Sequence, residues 1–324
     1  PIPIRMLSIC ISGGEAVFHA VGHYMNFCDP HNLLSYRNTR AHNTMLINGI
    51  GQPFTPDAYG YIVRMFNGDN ISYALGDAST AYCGISNIRL WKRSFEKYHL
   101  TQTPENGFGE TPLKKYRRHI FLLHPNKVVI YDELEANEKV RWDWLLHSPV
   151  KFDINPAASI LTTVNKEKGF SSVVQLFCEQ EAAITQTDKY AAPPNHADAQ
   201  RGEDFTDPWS LTASFGPSRN NRILTIIQVE ADGRQAVQIM REGNTFRCGE
   251  WVIEAELNAK RPGRLYIRNS RNNAVFSYGD KKPEINGELY SCKEKDASVL
   301  FDCVNGEWTV QEMGDQRVQT MGKW

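Results

Sequence analysis

The chain has 324 residues, of which 41% are hydrophobic and 23% are charged, a composition typical of globular proteins with a sizeable buried core. Its formal net charge of −1 gives no overall basic field, so neither nucleic acid nor a membrane surface is an expected partner. No apolar run approaches the roughly 18 residues that a membrane-spanning helix needs. The seven cysteines are scattered without a CxxC pair, which argues against a zinc ribbon and a dense disulfide framework.

Two short strands are predicted at the amino-terminal end. Residues 6–11 are apolar up to a Ser-Gly-Gly break, and residues 15–24 follow with an apolar pair at positions 17 and 18. The chain starts at a proline without an initiator methionine, which predicts a processed chain or a fragment.

A group of histidines follows in the sequence. Four of the nine histidines fall within 24 positions, at His19, His23, His31 and His42. Together with Asp29 they offer the nitrogen and oxygen ligands of a zinc-like site. None has the fixed spacing of a known ligand pattern, so the alternative is separate loop histidines that each make hydrogen bonds.

The chemically richest stretch is Tyr36–Gln52. Its apolar alternation at Met45 and Ile47 predicts a strand, and the Asn48-Gly49 dipeptide after it predicts a tight turn with positive φ. Polar residues that lead into a strand and a hairpin turn usually lie at the rim of a sheet, where loops carry function. The alternative is an ordinary polar loop before an edge strand. The polar residues within seven positions are Arg37, Asn38, Arg40, His42 and Asn43.

Short strands separated by turns are predicted from residue 59 onward. Residues 59–65 and 70–75 flank an Asn-Gly-Asp hairpin signal, and residues 91–93 predict the return to a strand. Residues 97–111 form a polar loop, because their proline and two glycines exclude the interior of a helix or strand.

A basic cluster, KKYRRH, spans residues 114–119. One interpretation is a patch that includes Arg117 and faces carboxylates or sulfates, because guanidinium groups bind oxyanions through two parallel hydrogen bonds. The other interpretation is the solvated start of a strand. The local sequence leaves both interpretations open.

The remaining chain predicts an all-β fold. Residues 120–123 and 127–132 form the clearest predicted hairpin, and further apolar runs recur at the spacing of about 8–12 residues typical of such folds. No phosphate-binding glycine motif or long amphipathic helix interrupts them. We therefore predict large antiparallel sheets stacked as a β-sandwich, with a main part at residues 1–235 and a smaller β subdomain at residues 236–324. The other predicted strands are 142–147, 152–154, 159–164, 171–179, 223–230, 236–240, 251–257, 263–268, 274–278, 297–303 and 308–312, and residues 189–208 form a long polar loop.

Two blocks of the sequence resemble a known family. Within residues 39–52, the runs HNT (42–44), ING (47–49) and GQ (51–52) resemble the HNT…(V/I)NG…GQ signature of heparinase II/III-like polysaccharide lyases. The second block contains YRRH (116–119), VVIYDE (128–133) and WLLH (144–147), in the family's order. The likeness covers residues 8–150 and is strongest to the branch of exolytic alginate lyases and exo-acting heparinases.

The resemblance implies the fold and the partner. In these lyases a β-sandwich follows an (α/α) toroid, so the chain is expected to form the C-terminal part of that architecture. The implied partner is an acidic polysaccharide. Five residues are implied to hold it: Tyr24, Arg37, Arg40, Asn43 and Arg117.

The resemblance also bears on a metal. Some family members hold a structural divalent cation, zinc or calcium, between the histidine of the HNT motif and an aspartate of the amino-terminal hairpin. The motif histidine is His42 here, but the aspartate position falls on Ala20. A cation would need a substitute ligand such as His19, His23 or Asp29.

A lyase of this family removes the proton α to a uronate carboxylate and expels the 4-linked oxygen. This β-elimination needs a group that neutralises the carboxylate, a base and an acid. In the family the acid and base come from the toroid and from an HxxAD-type segment before the first hairpin, and both are expected to be missing here. No catalytic residue is therefore assigned.

The predicted function is the β-sandwich domain of a lyase that cleaves heparin-, heparan-sulfate- or alginate-type polysaccharide. The alternative is a non-catalytic carbohydrate-binding or structural β-sandwich. Because family members act in the periplasm or outside the cell, the resemblance implies a periplasmic or secreted protein.

Overall fold

The computed structural model describes residues 10–12, 15–22, 26, 28–195, 208–231, 233–271, 273–279, 282–285, 287–293 and 297–315. Within these ranges the chain folds mainly into antiparallel sheets, which confirms the predicted all-β class. A short amino-terminal hairpin pairs β1 (Cys10–Ser12) with β2 (Glu15–Phe18). Of the strand predicted over residues 6–11, positions 6–9 lie outside the described residues.

Ten strands form the first large sheet. They are β3 (Met45–Ile47), β4 (Tyr61–Asn67), β5 (Ile71–Asp77), β6 (Leu113–Leu123), β7 (Lys127–Ser148), β8 (Asp153–Asn155), β9 (Ile160–Asn165), β10 (Phe170–Phe177), β11 (Ala183–Thr187) and β12 (Trp209–Ala231). The sheet order is β4-β5-β6-β7-β12-β10-β9-β8, with β3 beside β7 and β11 beside β12. The two long strands β7 and β12 pair along nearly their whole length and form the centre of the sheet.

Seven strands form the second large sheet, in sequence order. They are β13 (Met240–Glu242), β14 (Thr245–Cys248), β15 (Trp251–Ala255), β16 (Leu265–Asn269) and β17 (Ala274–Tyr278), followed after a small hairpin of β18 (Glu284–Ile285) and β19 (Glu288–Leu289) by β20 (Ser298–Val304) and β21 (Glu307–Met313). Each strand pairs antiparallel with its neighbour, so this sheet is a meander.

The centre of the first sheet is buried on both faces. Alternate residues of a strand point to opposite sides, so Ile130 and Leu134 of β7 enter one apolar cluster while Val129 and Tyr131 enter another. The second cluster also contains side chains of the second sheet, among them Trp251. The two sheets therefore stack face to face around a shared core, as the sandwich prediction requires.

The predicted hairpin at residues 120–132 is confirmed. Ile120 on β6 lies opposite Ile130 on β7, and Leu123 lies opposite Lys127 next to the turn. The strand predicted at residues 142–147 is confirmed, but it is not a separate element, because those residues continue β7 and pair with the first part of β12.

A helix replaces the strand predicted at residues 91–93. Within the described residues, one α-helix is found, α1 (Arg89–Lys97). Trp91 and Phe95 are four positions apart, so a helix places them on one face. Both are buried in a cluster with Phe54 and Phe108. This (i, i+4) aromatic spacing was the signal for a helix in the sequence.

The strand predicted at residues 236–240 is also wrong, since β13 begins only at Met240. The backbone of Val237 bonds to a side chain instead of to a strand. The Gln228 amide nitrogen donates to the Val237 carbonyl at 2.8 Å, and the Val237 amide donates to the Gln228 side-chain oxygen at 3.2 Å.

The first sheet ends at Ala231 and the second begins at Met240. The predicted division into two domains at residue 235 stays a prediction. The two sheets on either side of it share one apolar cluster. In the part of the chain that the structure describes, no helix has the length and apolar character needed to cross a membrane.

Candidate functional site

The polar stretch predicted to carry function forms a compact loop against the first sheet. A single π-helical turn covers Asn32–Tyr36, and a 3-10 turn covers Thr39–Ala41. Asn38 fixes the start of the second turn, because its side-chain oxygen accepts the Arg40 amide at 3.2 Å while its side-chain nitrogen donates to the Asn106 carbonyl at 2.9 Å. The loop then enters β3, which pairs with β7.

The turn after β3 has the geometry that its sequence predicts. Asn48 and Gly49 both have positive φ, at 54° and 81°, as a two-residue hairpin turn requires. The Asn48 side-chain oxygen accepts the Arg141 amide at 2.8 Å, and the Asn48 amide donates to the Arg141 carbonyl at 2.9 Å. The turn is therefore fixed on β7 beside Arg141.

The loop is anchored by His147, the second-last residue of β7. Asn43 places its side-chain oxygen 2.8 Å from both the backbone nitrogen and the ring Nδ1 of His147. The other ring nitrogen, Nε2, lies 2.9 Å from the Arg40 carbonyl. His147 and Asn43 are both buried, so this contact fixes the loop against the sheet.

The charge state of His147 follows from this enclosure. Burial lowers the pKa of His147 to about 4, with a smaller lowering from His19, although the Arg40 carbonyl favours the protonated ring. A neutral imidazole has a single N–H, and the Asn43 oxygen and the Arg40 carbonyl both accept. At neutral pH, His147 therefore donates to one of its two oxygen partners.

The carbonyl of Asn43 is held separately by a buried ion pair. Arg118 on β6 donates to both carboxylate oxygens of Asp132 on β7, at 2.6 and 2.9 Å, and its remaining nitrogen donates to the Asn43 carbonyl at 2.9 Å. Thr44 completes the anchoring, since its hydroxyl lies 3.3 Å from the hydroxyl of Tyr116. The polar loop is thus bonded to both β6 and β7.

The predicted arginines of the loop have different surroundings. Arg37 donates from Nε to the Asn32 side chain at 2.9 Å, and its guanidinium lies 5.2 Å from the ring centre of Trp91. Arg40 donates from Nη2 to the Glu105 carbonyl at 3.0 Å. Burial lowers the pKa of Arg40, and no carboxylate of the described residues counters that effect.

A groove of about 500 Å³ opens beside Arg40. Its walls come from the loop, from the turn at Gly49, from residues 104–105 and from the neighbouring strands β7, β11 and β12. Polar side chains dominate these walls, and the lining residues used below are Arg40, Arg141, Asp143, Thr185, Thr212 and Ser214. The groove is open to solvent along one side and offers two guanidinium groups together with several side-chain oxygens.

The basic cluster of β6 is paired within the chain. Arg117 donates to Asp77 at 2.9 Å and to Asp315 at 2.6 Å. Lys115 lies 2.7 Å from the buried Glu133. The cluster does face carboxylates, but they belong to this chain, and a role of Arg117 in binding polysaccharide stays a prediction.

Comparison with known proteins identifies the family. The family model described as heparinase II/III-like, C-terminal, matches residues 8–240. The chain belongs to the heparinase II/III-like family. Among curated proteins, none matches the sequence.

The solved structure of one heparinase shares the fold. The chain is similar to the heparinase III-BT4657 gene product, with a TM-score of 0.50, 14% identity, and coverage of 78% of this chain and 34% of that one. The same protein with methylated lysines gives a TM-score of 0.51, 12% identity, and coverage of 91% and 35%. Heparan sulfate lyase HepC from Pedobacter heparinus gives a TM-score of 0.47, 11% identity, and coverage of 86% and 34%. The chain spans about a third of the length of these structures.

The family's loop motifs have clear structural roles here. Asn43 and Thr44 anchor the loop, and the Asn48-Gly49 turn closes β3. Gly51 passes so close to Thr39 that a Cβ at position 51 would overlap the Thr39 side chain, and the Gln52 amide donates to the Thr39 hydroxyl at 2.7 Å. The heparinase II/III-like signature of this chain is therefore largely a set of loop anchors.

The expected metal ligands are only partly visible in this heparinase II/III-like domain. His19 has Nδ1 2.7 Å from the Ala20 carbonyl, and both ring nitrogens of His42 are buried. The Val21 amide donates to the Ala41 carbonyl at 2.9 Å, so the segment after β2 runs beside the His42 loop. Nowhere in the described ranges do three or more His, Cys, Asp or Glu side chains converge as a metal centre would require. The described residues alone do not complete a metal site, so a bound cation stays a prediction and no chemical step is derived through one.

Two other expectations need separate statements. Tyr24 and His23 lie outside the described residues, so the expected contact of Tyr24 with polysaccharide stays a prediction. His31 has Nδ1 2.7 Å from the Ala192 carbonyl and packs edge-on against Tyr190 at 4.9 Å. His31 thus fixes the start of the long polar loop, a role the sequence pattern did not indicate.

No role was predicted from the sequence for His147, Arg118 or Arg141. His147 and Arg118 lie within the two quoted motif runs WLLH and YRRH, and that position was a signal for them. Arg141 lies outside both runs. Its place in the groove follows from β3 and β12 both pairing with β7, which the local sequence does not reveal.

Proposed function

We propose that this chain is the β-sandwich part of a polysaccharide lyase that cleaves uronic-acid-containing polysaccharide by β-elimination. The polysaccharide is of the heparin, heparan sulfate or alginate type. The catalytic acid and base lie on a helical toroid, carried by a longer form of the protein or by a separate chain. A periplasmic or secreted location belongs to this proposal, because acidic polysaccharides of this kind are extracellular polymers.

The observation that carries the proposal is the loop that presents Arg40. Its neighbour Asn43 is fixed to His147 by the side chain and to Arg118 by the backbone carbonyl. A loop held at both points keeps the Arg40 backbone in one position without using the Arg40 guanidinium. Preorganised cationic groups are what a uronate carboxylate needs, since negative charge builds up on it when the adjacent proton leaves.

Each predicted binding residue has a proposed part. Arg40 neutralises a carboxylate or sulfate of the chain, and Arg37 adds positive charge next to Trp91. Asn43 acts by positioning the loop rather than by touching the sugar, because it is buried. Tyr24 and Arg117 are the remaining proposed contacts, Arg117 through the exposed part of a guanidinium already paired with Asp77 and Asp315.

A divalent cation stays part of the proposal as a structural element. Zinc or calcium would take His42, with His19 as the second ligand and further ligands from residues outside the described ranges. Metal analysis of the purified protein by inductively coupled plasma mass spectrometry tests this directly. About one bound metal ion in the wild type and loss of it in His42→Ala are expected, and a metal-free wild type after purification without chelator contradicts it.

The alternative function is a non-catalytic carbohydrate-binding or structural sandwich. The polar groove favours carbohydrate binding, because hydroxyl and carboxylate groups on its walls match the hydroxyl groups of a sugar. A carbohydrate-binding role and the lyase proposal both predict that the chain binds polysaccharide. Only the lyase proposal predicts a helical toroid.

The test combines binding and turnover. We expect the chain to bind heparin and alginate oligosaccharides in isothermal titration, with an affinity that falls as salt is added, and to bind maltotetraose weakly. Ultraviolet absorbance reports the unsaturated uronate that β-elimination produces. We expect no such product from the chain alone, and product formation would contradict the proposed separate toroid.

The region encoding the residues before Pro1 separates the two functions. A helical toroid encoded there, with elimination activity in the longer protein, supports the lyase proposal. Binding by the chain together with an inactive longer protein supports the non-catalytic alternative. Absence of any binding to the acidic oligosaccharides contradicts both the lyase proposal and a carbohydrate-binding role, and supports a structural sandwich.

A further inference from the structure

The groove beside Arg40 has a second cation that no motif marks. Arg141 on β7 is 56% exposed, and its Nε lies 2.8 Å from Asp143 Oδ1 and 3.1 Å from Oδ2. This pairing engages Nε of the guanidinium, and both side chains line the groove. The backbone of Arg141 is fixed as well, by the two hydrogen bonds with Asn48.

Asp143 is a positioning residue for this arginine. Its side chain is 4% exposed, and it also accepts the Ser214 hydroxyl at 2.6 Å. The Arg141–Asp143 ion pair is close to neutral as a unit, so Arg141 offers the groove the N–H donors of its exposed guanidinium rather than an unbalanced charge. Asp143 orients Arg141 and Ser214.

Arg40 contributes a cation of a different kind to the lining of the groove. It donates to a backbone carbonyl, that of Glu105, and among the described residues no carboxylate is in ion-pair contact with it. Gly107 leaves room for the Arg40 guanidinium, because a Cβ at position 107 would lie 2.9 Å from Arg40 Nη2. A partly buried guanidinium that pairs with no carboxylate is an unneutralised charge, and a bound oxyanion would neutralise it.

Hydroxyl groups form a further part of the groove lining. Thr185 on β11 lies opposite Thr212 on β12, and Ser214 is two residues further along β12 on the same face. Residues at this spacing form a row along one side of a sheet. Hydroxyl groups donate and accept hydrogen bonds, as sugar hydroxyls do.

We propose that this groove binds one acidic sugar unit, with its carboxylate or sulfate on Arg40 and Arg141 and its ring hydroxyls on Thr212, Thr185 and Ser214. The inference rests on the proposed function and adds to it a subsite and a specificity-determining residue, Arg141. The groove has a volume of about 500 Å³, which suits a sugar unit or two, since pockets for small ligands start at about 300 Å³. The rim carboxylate of Glu105 is exposed and acts against anion binding.

The experiment uses Arg141→Gln in the whole chain, with Arg271→Gln as the matched control. Arg271 is also an exposed arginine, 75% exposed, whose Nε lies 2.9 Å from a carboxylate, that of Glu250, and it lies outside the groove. Isothermal titration measures a heparin-derived tetrasaccharide, a tetraguluronate and maltotetraose. Circular dichroism and thermal melting verify that both variants remain folded.

We expect Arg141→Gln to weaken binding of both acidic tetrasaccharides by about tenfold, the effect of one lost charged hydrogen bond. Arg271→Gln should stay within about twofold, because exposed ion pairs contribute little. Thr212→Val should weaken binding too, and Glu105→Gln should strengthen it. A loss confined to the heparin tetrasaccharide identifies sulfate as the bound group, and an equal loss for tetraguluronate identifies carboxylate.

The outcomes separate this inference from the proposed function. If the wild type binds the acidic tetrasaccharides and Arg141→Gln binds them equally well, the groove inference is overturned while the proposed function stands. If the wild type binds neither, the proposed function fails first. If maltotetraose binds as tightly as the acidic probes and loses as much in Arg141→Gln, the groove takes neutral sugar and the acidic specificity is wrong.

Discussion

The side-chain oxygen of Asn43 lies 2.8 Å from both the backbone nitrogen and the ring nitrogen of His147, 104 residues further along the chain. This single atom fixes the polar loop on the end of β7. The ring then reaches the Arg40 carbonyl with its other nitrogen. Any change at either residue therefore acts on the loop that presents Arg40.

Asn43→Ala should destabilise the protein and weaken binding of acidic oligosaccharides. The substitution leaves the buried amide and ring of His147 without their acceptor, which costs about 1–3 kcal/mol. A loss of that size lowers the melting temperature by several degrees, given about 2–4 °C per kcal/mol for a domain this large. Thermal melting measures it, with Asn137→Ala, an exposed position on β7, as the control. Equal melting temperatures for the two variants would contradict the anchoring role.

His147→Ala should destabilise the chain more than His42→Ala. His147 is fully buried and its ring contacts the Asn43 side chain and the Arg40 carbonyl, whereas the His42 side chain is partly exposed. Removing a fully buried ring adds a cavity cost to the lost polar contacts. We expect His42→Ala to lower the melting temperature by a few degrees. Urea denaturation of the two variants side by side gives the ranking, and the reverse order would refute it.

Stability should fall between about pH 6.5 and pH 4 because of His147. The pKa of His147 is lowered from 6.5 to about 4 in the folded chain, so the unfolded chain binds the proton first as the pH decreases. The free energy of unfolding is therefore highest above the pKa that His147 has in the unfolded chain. It decreases by at most about 3 kcal/mol as the pH falls toward the pKa that His147 has in the folded chain. Urea denaturation at several pH values measures this slope.

The control for the pH prediction is His147→Gln, which cannot titrate. The lowered pKa values of Glu133 and Asp315 and that of His119 remain in this variant, so their share of the pH dependence is unchanged. The variant should lose the part of the slope between pH 6.5 and pH 4 that belongs to His147. An identical slope in wild type and variant would assign the pH dependence to other groups.

Glu133→Gln should destabilise the sandwich by about 3–5 kcal/mol, the cost of breaking a buried ion pair from one side. The Glu133 side chain is fully buried. Its carboxylate accepts hydrogen bonds from Lys115 at 2.7 Å and from Tyr278 of the second sheet at 2.7 Å. Arg222 lies 3.4 Å away. The carboxylate therefore links both sheets, and guanidinium chloride denaturation measures its loss.

Glu135→Gln is the matched control for Glu133→Gln. It lies two residues further along β7, and its carboxylate is 26% exposed beside Lys114 at 3.8 Å and Lys115 at 3.6 Å. Partly exposed pairs of this kind contribute about 0–1 kcal/mol. Comparable losses in the two variants would show that the inter-sheet position of Glu133 has no special effect.

Gly51→Ala should disturb the loop without touching the groove directly. A methyl group at position 51 would overlap Thr39, whose hydroxyl holds the Gln52 amide. Forcing atoms into a packed site costs about 1–3 kcal/mol. We expect a lower melting temperature and weaker oligosaccharide binding, since Thr39 directly precedes Arg40. Unchanged binding with a lowered melting temperature would show that the loop anchor and the binding surface are independent.

The elements that depend on neighbouring residues could be predicted from the sequence. The all-β class, the hairpin around residues 124–126 and the positive-φ turn at Asn48-Gly49 follow from local patterns that the structure repeats. The motif runs HNT, ING and GQ also located the polar loop, and the structure shows which of its residues anchor it to the sheet. Helix α1 belongs to the same category, because the Trp91 and Phe95 spacing was present but was interpreted as a strand.

The pairing of distant polar side chains depends on how the strands come together in the folded chain. Arg117 meets Asp315 across 198 positions of sequence, and Asn43 meets His147 across 104. A local pattern of charge and hydropathy carries no information about which distant strand becomes the neighbour. Ion pairs and buried hydrogen bonds form only after β7 and β12 have aligned the sheet. That alignment places Arg141 in the groove. It also pairs Arg117 with carboxylates of the same chain.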